Sequence, residues 1–216
     1  LLPVALALSF LQPGRLLADN PPASTLSRRP NIVILLADDL AWADAGYHSD
    51  RCETPHIDRL AAEGMRFTDA YAACAVCSPT RAAVQTGRYP GRLGVTDWIR
   101  SRFQGGTIPT DKKNPSGFSG GKRKFLVPKN ALWMESEEVT IAELLKPAGY
   151  VTCHIGKWHL GADDWYPQKQ GYDFNYGGCD YGQPPSYFDP FNQPKHRHAM
   201  IRGGIPHLPG RKPGQY

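Results

Sequence analysis

Cys77-Ser78-Pro79-Thr80-Arg81, continued by Ala82 to Arg88, brings a sulfur nucleophile, a proline and an arginine into one short stretch. Proline is tolerated in the first helical turn, where its missing N–H is a group with no intrahelical partner. The spacing therefore predicts a helix that begins just after Cys77, with Arg81 in or next to its first turn, close enough to face the cysteine. The N–H groups of a helix N-terminus attract anions, and arginine adds a rigid fork that is always charged. The stretch reads as a nucleophile set against an oxyanion. The same residues also fit a small buried cysteine ahead of an ordinary surface helix.

Two further places carry chemistry. Asp38-Asp39 follows the apolar run Asn31 to Ala37, at the end of what the pattern predicts to be a buried strand. Open α/β sheets place their sites at such strand ends. Adjacent carboxylates repel each other, and their hard oxygens suit calcium or magnesium; a solvated strand end with two turn-forming acids is the plainer alternative. Lys157 and His159 lie in Gly156-Lys157-Trp158-His159-Leu160-Gly161, after the predicted strand Tyr150 to Ile155. A lysine there supplies a mobile positive charge, and a histidine a group that exchanges a proton near neutral pH. Taken alone, His159 equally fits a structural role.

Cys77, Pro79, Thr80 and Arg81, with Thr86-Gly87-Arg88 behind them, resemble the signature of the type I sulfatases, with threonine where serine is commoner. The Gly156 to Gly161 string resembles that family's second signature. Thr54 to Gly64 and Gln170 to Gly177 resemble further family segments. The resemblance covers roughly residues 30 to 185. It implies that Cys77 is oxidised to Cα-formylglycine by a maturation enzyme. It implies that Asp38, Asp39 and the modified Cys77 meet a divalent cation, calcium ahead of magnesium. Arg81 would orient the nucleophile, Lys157 would contact sulfate, and His159 would assist catalysis. The implied reaction is hydrolysis of a sulfate ester on a small molecule or glycan. Later metal ligands of the family, an Asp-Asn pair, have no counterpart after Gly177, so a truncated N-terminal part of a catalytic domain is expected over residues 30–216.

These groups need elements to hold them. Thr54 reads as a cap and Pro55 as the first residue of a helix that Gly64 ends, with Ile57, Leu60 and Ala61 on its inner face. Arg66 to Ala72 alternates like a second strand leading to Cys77. Thr140 and Glu143 have the spacing of a capping box in a helix spanning 137–146. Strands alternating with helices predict an α/β fold, here a mixed, largely parallel sheet covered by helices on both faces, like the alkaline phosphatase and sulfatase architecture the resemblance implies. Residues 101 to 130, rich in Gly, Lys, Ser and Pro, read as a long surface loop that includes Lys122 to Lys124.

The chain of 216 residues carries a net charge of +5 and is 41% hydrophobic, an ordinary globular composition. Basic residues are scattered and no nucleic-acid module is present. Residues 1–18 are mostly apolar, too short and interrupted for a stable membrane span. They read as part of a secretory signal peptide, followed by a polar linker over 19–29. This predicts export, to a periplasm or the extracellular space. Five cysteines at 52, 74, 77, 153 and 179 leave four that could pair if Cys77 is modified. Competing readings are a metal-dependent phosphatase or phosphodiesterase of the same superfamily, an inactive exported binding relative, and a cysteine hydrolase. The cysteine signature argues against the first, the intact candidate residues against the second, and the lack of a placeable orienting acid against the third.

Overall fold

The computed structural model describes residues 29–121 and 124–208. The expected signal segment at 1–18, nearly all of the linker, and Lys122 and Arg123 of the basic tract lie outside those residues. The chain divides into two units, Leu1–Leu40 and Ala41–Tyr216.

In the first unit, residues 31–37 form no strand. Ile32, Val33 and Leu35 are exposed, Val33 at 78% and Leu35 at 83%. This overturns the expected central strand, and with it the sheet covered by helices on both faces. A strand exists only through hydrogen bonds to neighbouring strands, and an apolar run shows the demand for a partner without supplying one. Asp38 and Asp39 sit at a bend, and Asp39 adopts a left-handed φ of 54°.

The second unit opens with a 3-10 turn, Trp42–Asp44, and helix α1, Pro55–Glu63. Thr54 and Pro55 start α1 and Gly64 ends it, as the pattern predicts. The cap works differently from expected. Thr54 Oγ1 donates to Asp58 Oδ1 at 2.7 Å and accepts from the Gly46 N–H at 2.7 Å. The predicted inner face is not covered: Ile57 is 44% exposed and Leu60 64%. Residues 66–72 form no strand either, and Phe67 and Tyr71 point outward.

Helices α2, Cys77–Thr86, and α3, Pro90–Leu93, follow. The long loop holds a 3-10 turn, Arg102–Gln104, and a short antiparallel hairpin of β1, Phe118–Ser119, with β2, Val127–Pro128. Helix α4, Ile141–Leu145, is shorter than the predicted span because it starts only after its cap at Thr140, and at the other end Pro147 diverts the chain into a 3-10 turn, Lys146–Ala148, closed by Gly149 at φ 79°. Its capping box forms as its spacing predicts. Thr140 Oγ1 accepts from the Glu143 N–H at 3.2 Å, and Glu143 Oε2 accepts from the Thr140 N–H at 2.8 Å. Strand β3, Cys153–Ile155, pairs in parallel with β4, Phe174–Tyr176, in the register Cys153 to Phe174, His154 to Asn175 and Ile155 to Tyr176. Helix α5, Ala199–Arg202, comes last. Among the described residues, these two-stranded pairs are all the sheet there is.

Cohesion comes from two side-chain clusters instead of a sheet. One gathers Ala82 of α2 with Leu93, Val95, Ile99, Ala131, Met134, Trp158 and Leu160. Full burial of an Ile- or Leu-sized side chain contributes about 1.5–3 kcal/mol, and Ile99 and Leu160 are both fully buried. The second cluster joins Ala162, Tyr166, Cys179, Tyr181 and Ile201. Beside it, the buried carboxylate of Asp180 accepts from the Arg102 N–H at 2.9 Å and the Tyr166 hydroxyl at 3.2 Å, with the Arg102 guanidinium Nε at 3.5 Å. A buried charge is tolerable only with such compensation. This one pins residues 102 and 180 together next to the segment that carries His159.

Candidate active site

Helix α2 begins with Cys77 itself, so Ser78 and Pro79 fill its first turn. The helix keeps its proline because the first N–H groups have no intrahelical acceptor to lose. It stops at Gly87, where φ of 67° brings the Gly87 N–H onto the Ala83 carbonyl at 2.8 Å. Ser78, Pro79 and Ala82 form its buried face, while Cys77 and Arg81 are half-buried. Cys77 and Arg81 are one turn apart and share a side of the helix. Thr80 Oγ1 donates to the Cys74 carbonyl at 2.8 Å, folding the incoming chain onto that turn.

The segment after β3 packs against α2. Gly156, at φ 87°, donates its N–H to the Tyr176 carbonyl at 2.8 Å. The Lys157 carbonyl accepts from Arg81 Nη1 at 2.5 Å, so the two signature stretches meet directly. Trp158 is buried and its indole donates to the Trp165 carbonyl at 2.7 Å. The Leu160 carbonyl accepts from the Met134 N–H at 2.9 Å. Tyr172 closes the outer side, its hydroxyl donating to Gln85 Oε1 of α2 at 2.8 Å.

His159 is 1% exposed and has a left-handed φ of 62°. For a residue other than glycine such a backbone costs on the order of 1–3 kcal/mol and persists only where its surroundings over-determine it. They do so here. The His159 N–H donates to the Cys179 carbonyl at 3.0 Å, its carbonyl accepts from Ser78 Oγ at 2.9 Å, and ring Nε2 lies 2.6 Å from the Ile99 carbonyl. A carbonyl only accepts, so Nε2 carries a proton in this contact. Gly182 packs on the ring: a Cβ there would lie 2.8 Å from His159 Cε1.

Of the candidate residues, the fold brings Cys77, Arg81, Lys157 and His159 onto two segments in mutual contact. Asp38 and Asp39 belong to the other unit and are exposed. Among the described residues, no group of three or more His, Cys, Asp or Glu side chains could hold a metal ion. The carboxylate pair suits calcium in donor type and falls short of its six to eight oxygens in number. None of the five cysteines is paired in a disulfide. Burial pushes the Cys179 thiol up to about 12, so it stays neutral and unreactive, since the thiolate is the nucleophile.

Ser78, Ile99, Gly182 and the Arg102–Asp180 pair escape a reading of the sequence. Their partners lie far along the chain, and no local period marks them. For Ser78 the available signal was its place inside the signature.

His154 gives the site's surroundings a pH response. Its ring is wedged edge-on between Trp158 and Tyr172, at 5.1 and 5.4 Å. Burial lowers its pKa from 6.5 to about 4, against a smaller raising effect of the hydrogen bond donated to the Gly156 carbonyl; Arg81 lowers it slightly further. The unfolded chain thus binds this proton more readily than the folded one, so stability is complete above pH 6.5 and falls as pH drops toward 4. Urea midpoints measured across that window are expected to fall with pH in the wild type and to flatten in His154→Phe.

A half-buried cysteine thus opens α2, and Arg81 of the same helix ties it to the segment that bears Lys157 and His159. A family model described as Sulfatase matches residues 30–201. The chain is 38% identical over 178 residues to arylsulfatase G of Canis lupus familiaris, covering 76% of this chain and 28% of that protein. It is 37% identical over 194 residues to N-acetylgalactosamine-6-sulfatase of Rattus norvegicus, covering 89% of this chain and 30% of that protein. It aligns with the crystal structure of Ps i-CgsB at a TM-score of 0.51 and 32% identity, over 74% of this chain and 31% of that one. The chain belongs to the sulfatase family, in its type I, formylglycine-dependent branch. It spans less than a third of the length of these relatives.

Proposed function

We propose that the protein hydrolyses sulfate esters, with position 77 as the nucleophile after oxidation to formylglycine. The observation that carries this is the contact between the two signatures. Cys77 opens α2, and Arg81 Nη1 of the same helix donates to the Lys157 carbonyl.

A hydrated formylglycine supplies one oxygen to attack sulfur and a second hydroxyl to expel sulfate. That exit is one a thiolate lacks. The chain's own residues do the rest. The first N–H groups of α2 face negative charge. Arg81, anchored on the Lys157 carbonyl, orients the nucleophile. The Lys157 ammonium neutralises a sulfate or leaving-group oxygen. In His159, Nε2 is held on the Ile99 carbonyl, which would leave Nδ1 as the nitrogen to exchange a proton. Asp38 and Asp39 would hold a divalent cation, calcium ahead of magnesium, together with ligands beyond this pair. The ion would neutralise charge at the sulfate.

The substrate is a sulfated small molecule or glycan, and the other partner is the enzyme that oxidises Cys77. The apolar residues 1–18 support export to a periplasm or the extracellular space. Among the described residues no helix is long and apolar enough to cross a membrane. The test is peptide mass analysis across Cys77 in protein made where the oxidation machinery is present. The expected product is the aldehyde in place of the thiol, with turnover of aryl sulfates and not of aryl phosphates. A thiol at position 77 in protein that turns over its sulfate ester would refute the proposal.

A further inference from the structure

Ser78 fills the unspecified position of the Cys-x-Pro motif, and neither the signature nor the mechanism above gives it a role. We infer that Ser78 is a positioning residue: its hydroxyl locks His159, and with it the Lys157–His159 segment, onto the first turn of α2 where Cys77 sits. The claim about what is positioned rests on the sulfatase reading, while the geometry stands by itself.

Ser78 is fully buried. A hydroxyl has one proton to give and lone pairs to accept with, and Ser78 uses both functions. It donates to the His159 carbonyl at 2.9 Å, across 81 residues of chain. It accepts from the Ile99 N–H at 2.9 Å. Ile99 in turn receives His159 Nε2 on its carbonyl at 2.6 Å. Ser78, His159 and Ile99, from three separate segments, thus close a ring of hydrogen bonds. Two sides of that ring hold the strained histidine, one by its carbonyl and one by its imidazole. A further tie is the His159 N–H on the Cys179 carbonyl. A Ser78→Ala change removes the only atom that both receives the Ile99 N–H and holds the His159 carbonyl in this ring. Both groups stay buried, where an unmet hydrogen bond is unfavourable. The helix keeps its other contacts, including the Arg81 bond to Lys157, so the loss is one of alignment.

The experiment compares wild type, Ser78→Ala and Ser78→Thr in the full-length protein. With Cys77 left unmodified, amide hydrogen exchange is read at Ile99, at His159 and at Phe174. The Phe174 N–H bonds the Thr152 carbonyl at 3.0 Å, away from the ring. In Ser78→Ala the Ile99 and His159 amides are expected to exchange about tenfold faster or more, with Phe174 unchanged. In the matured enzyme the same variant should lose about tenfold or more in kcat at nearly constant KM, and threonine should restore it. Unchanged protection at Ile99 and His159 overturns the inference. Equal acceleration at all three amides does too, because it reports general loosening, and so does an unchanged kcat. If the wild type turns over no sulfate ester, the sulfatase reading falls and the exchange comparison still decides the role of Ser78. The alanine comparison is decisive whether or not the threonine methyl fits.

Discussion

Cys77→Ala is expected to lower kcat/KM for sulfate-ester hydrolysis by at least about 10⁴-fold, the scale on which loss of a covalent nucleophile acts. Alanine offers no sulfur to oxidise and so no oxygen to attack with. The remaining charges, Arg81 and Lys157, can still bind an anion, so substrate affinity should fall far less than turnover. Cys77 is half-buried at the first position of α2 and lies outside both core clusters. Alanine is a good helix former there, and thermal unfolding should stay within about 1 kcal/mol of wild type. The measurement is steady-state kinetics on an aryl sulfate with a thermal melt alongside. Retained turnover with a normal melt would show that another group attacks sulfur.

A large stability effect is expected at Gly161. Its φ of 132° is a backbone that L side chains rarely adopt, and a Cβ there would lie 2.7 Å from the Cβ atoms of both Trp133 and Trp165. Those rings stack at 4.0 Å with an interplanar angle of 17°. Neither Cβ is the end of a flexible chain, so the collision can be relieved only by moving backbone. Overpacking and backbone strain together put Gly161→Ala at about 3–5 kcal/mol of destabilisation. Gly87→Ala makes the control. Its φ is 67° and the space around it is open, so only the left-handed backbone resists, at about 1 kcal/mol. Urea denaturation should separate the two variants clearly. The near-UV circular dichroism of the tryptophan stack should weaken in Gly161→Ala alone. Equal midpoints would mean that the indole pair yields easily.

Local signals carried the short-range features. Pro55 and Gly64 mark the ends of α1, Thr140 and Glu143 build the capping box of α4, and Cys77 to Arg88 contains α2 with its glycine stop. Each depends on atoms a few residues apart, where backbone sterics and one or two hydrogen bonds decide the outcome. The two strands expected at 31–37 and 66–72 fail for the opposite reason. Their partners must come from elsewhere in the chain, and an apolar or alternating pattern does not say whether those partners arrive. The exposed face of α1 shows the same limit: periodicity chose its apolar side, and among the described residues no element packs there to bury it.

The residue types at the site, from the cysteine signature to the lysine and histidine, are properties of the sequence, because chemistry requires those groups at that spacing. Only the tertiary structure decided that Arg81 reaches the Lys157 carbonyl, that His159 is buried at φ 62°, and that Ser78 joins His159 to Ile99. These are contacts between segments that share no local pattern. They form where burial takes polar atoms out of water and leaves them to pair with one another, and a linear sequence does not record which atoms burial will bring within reach.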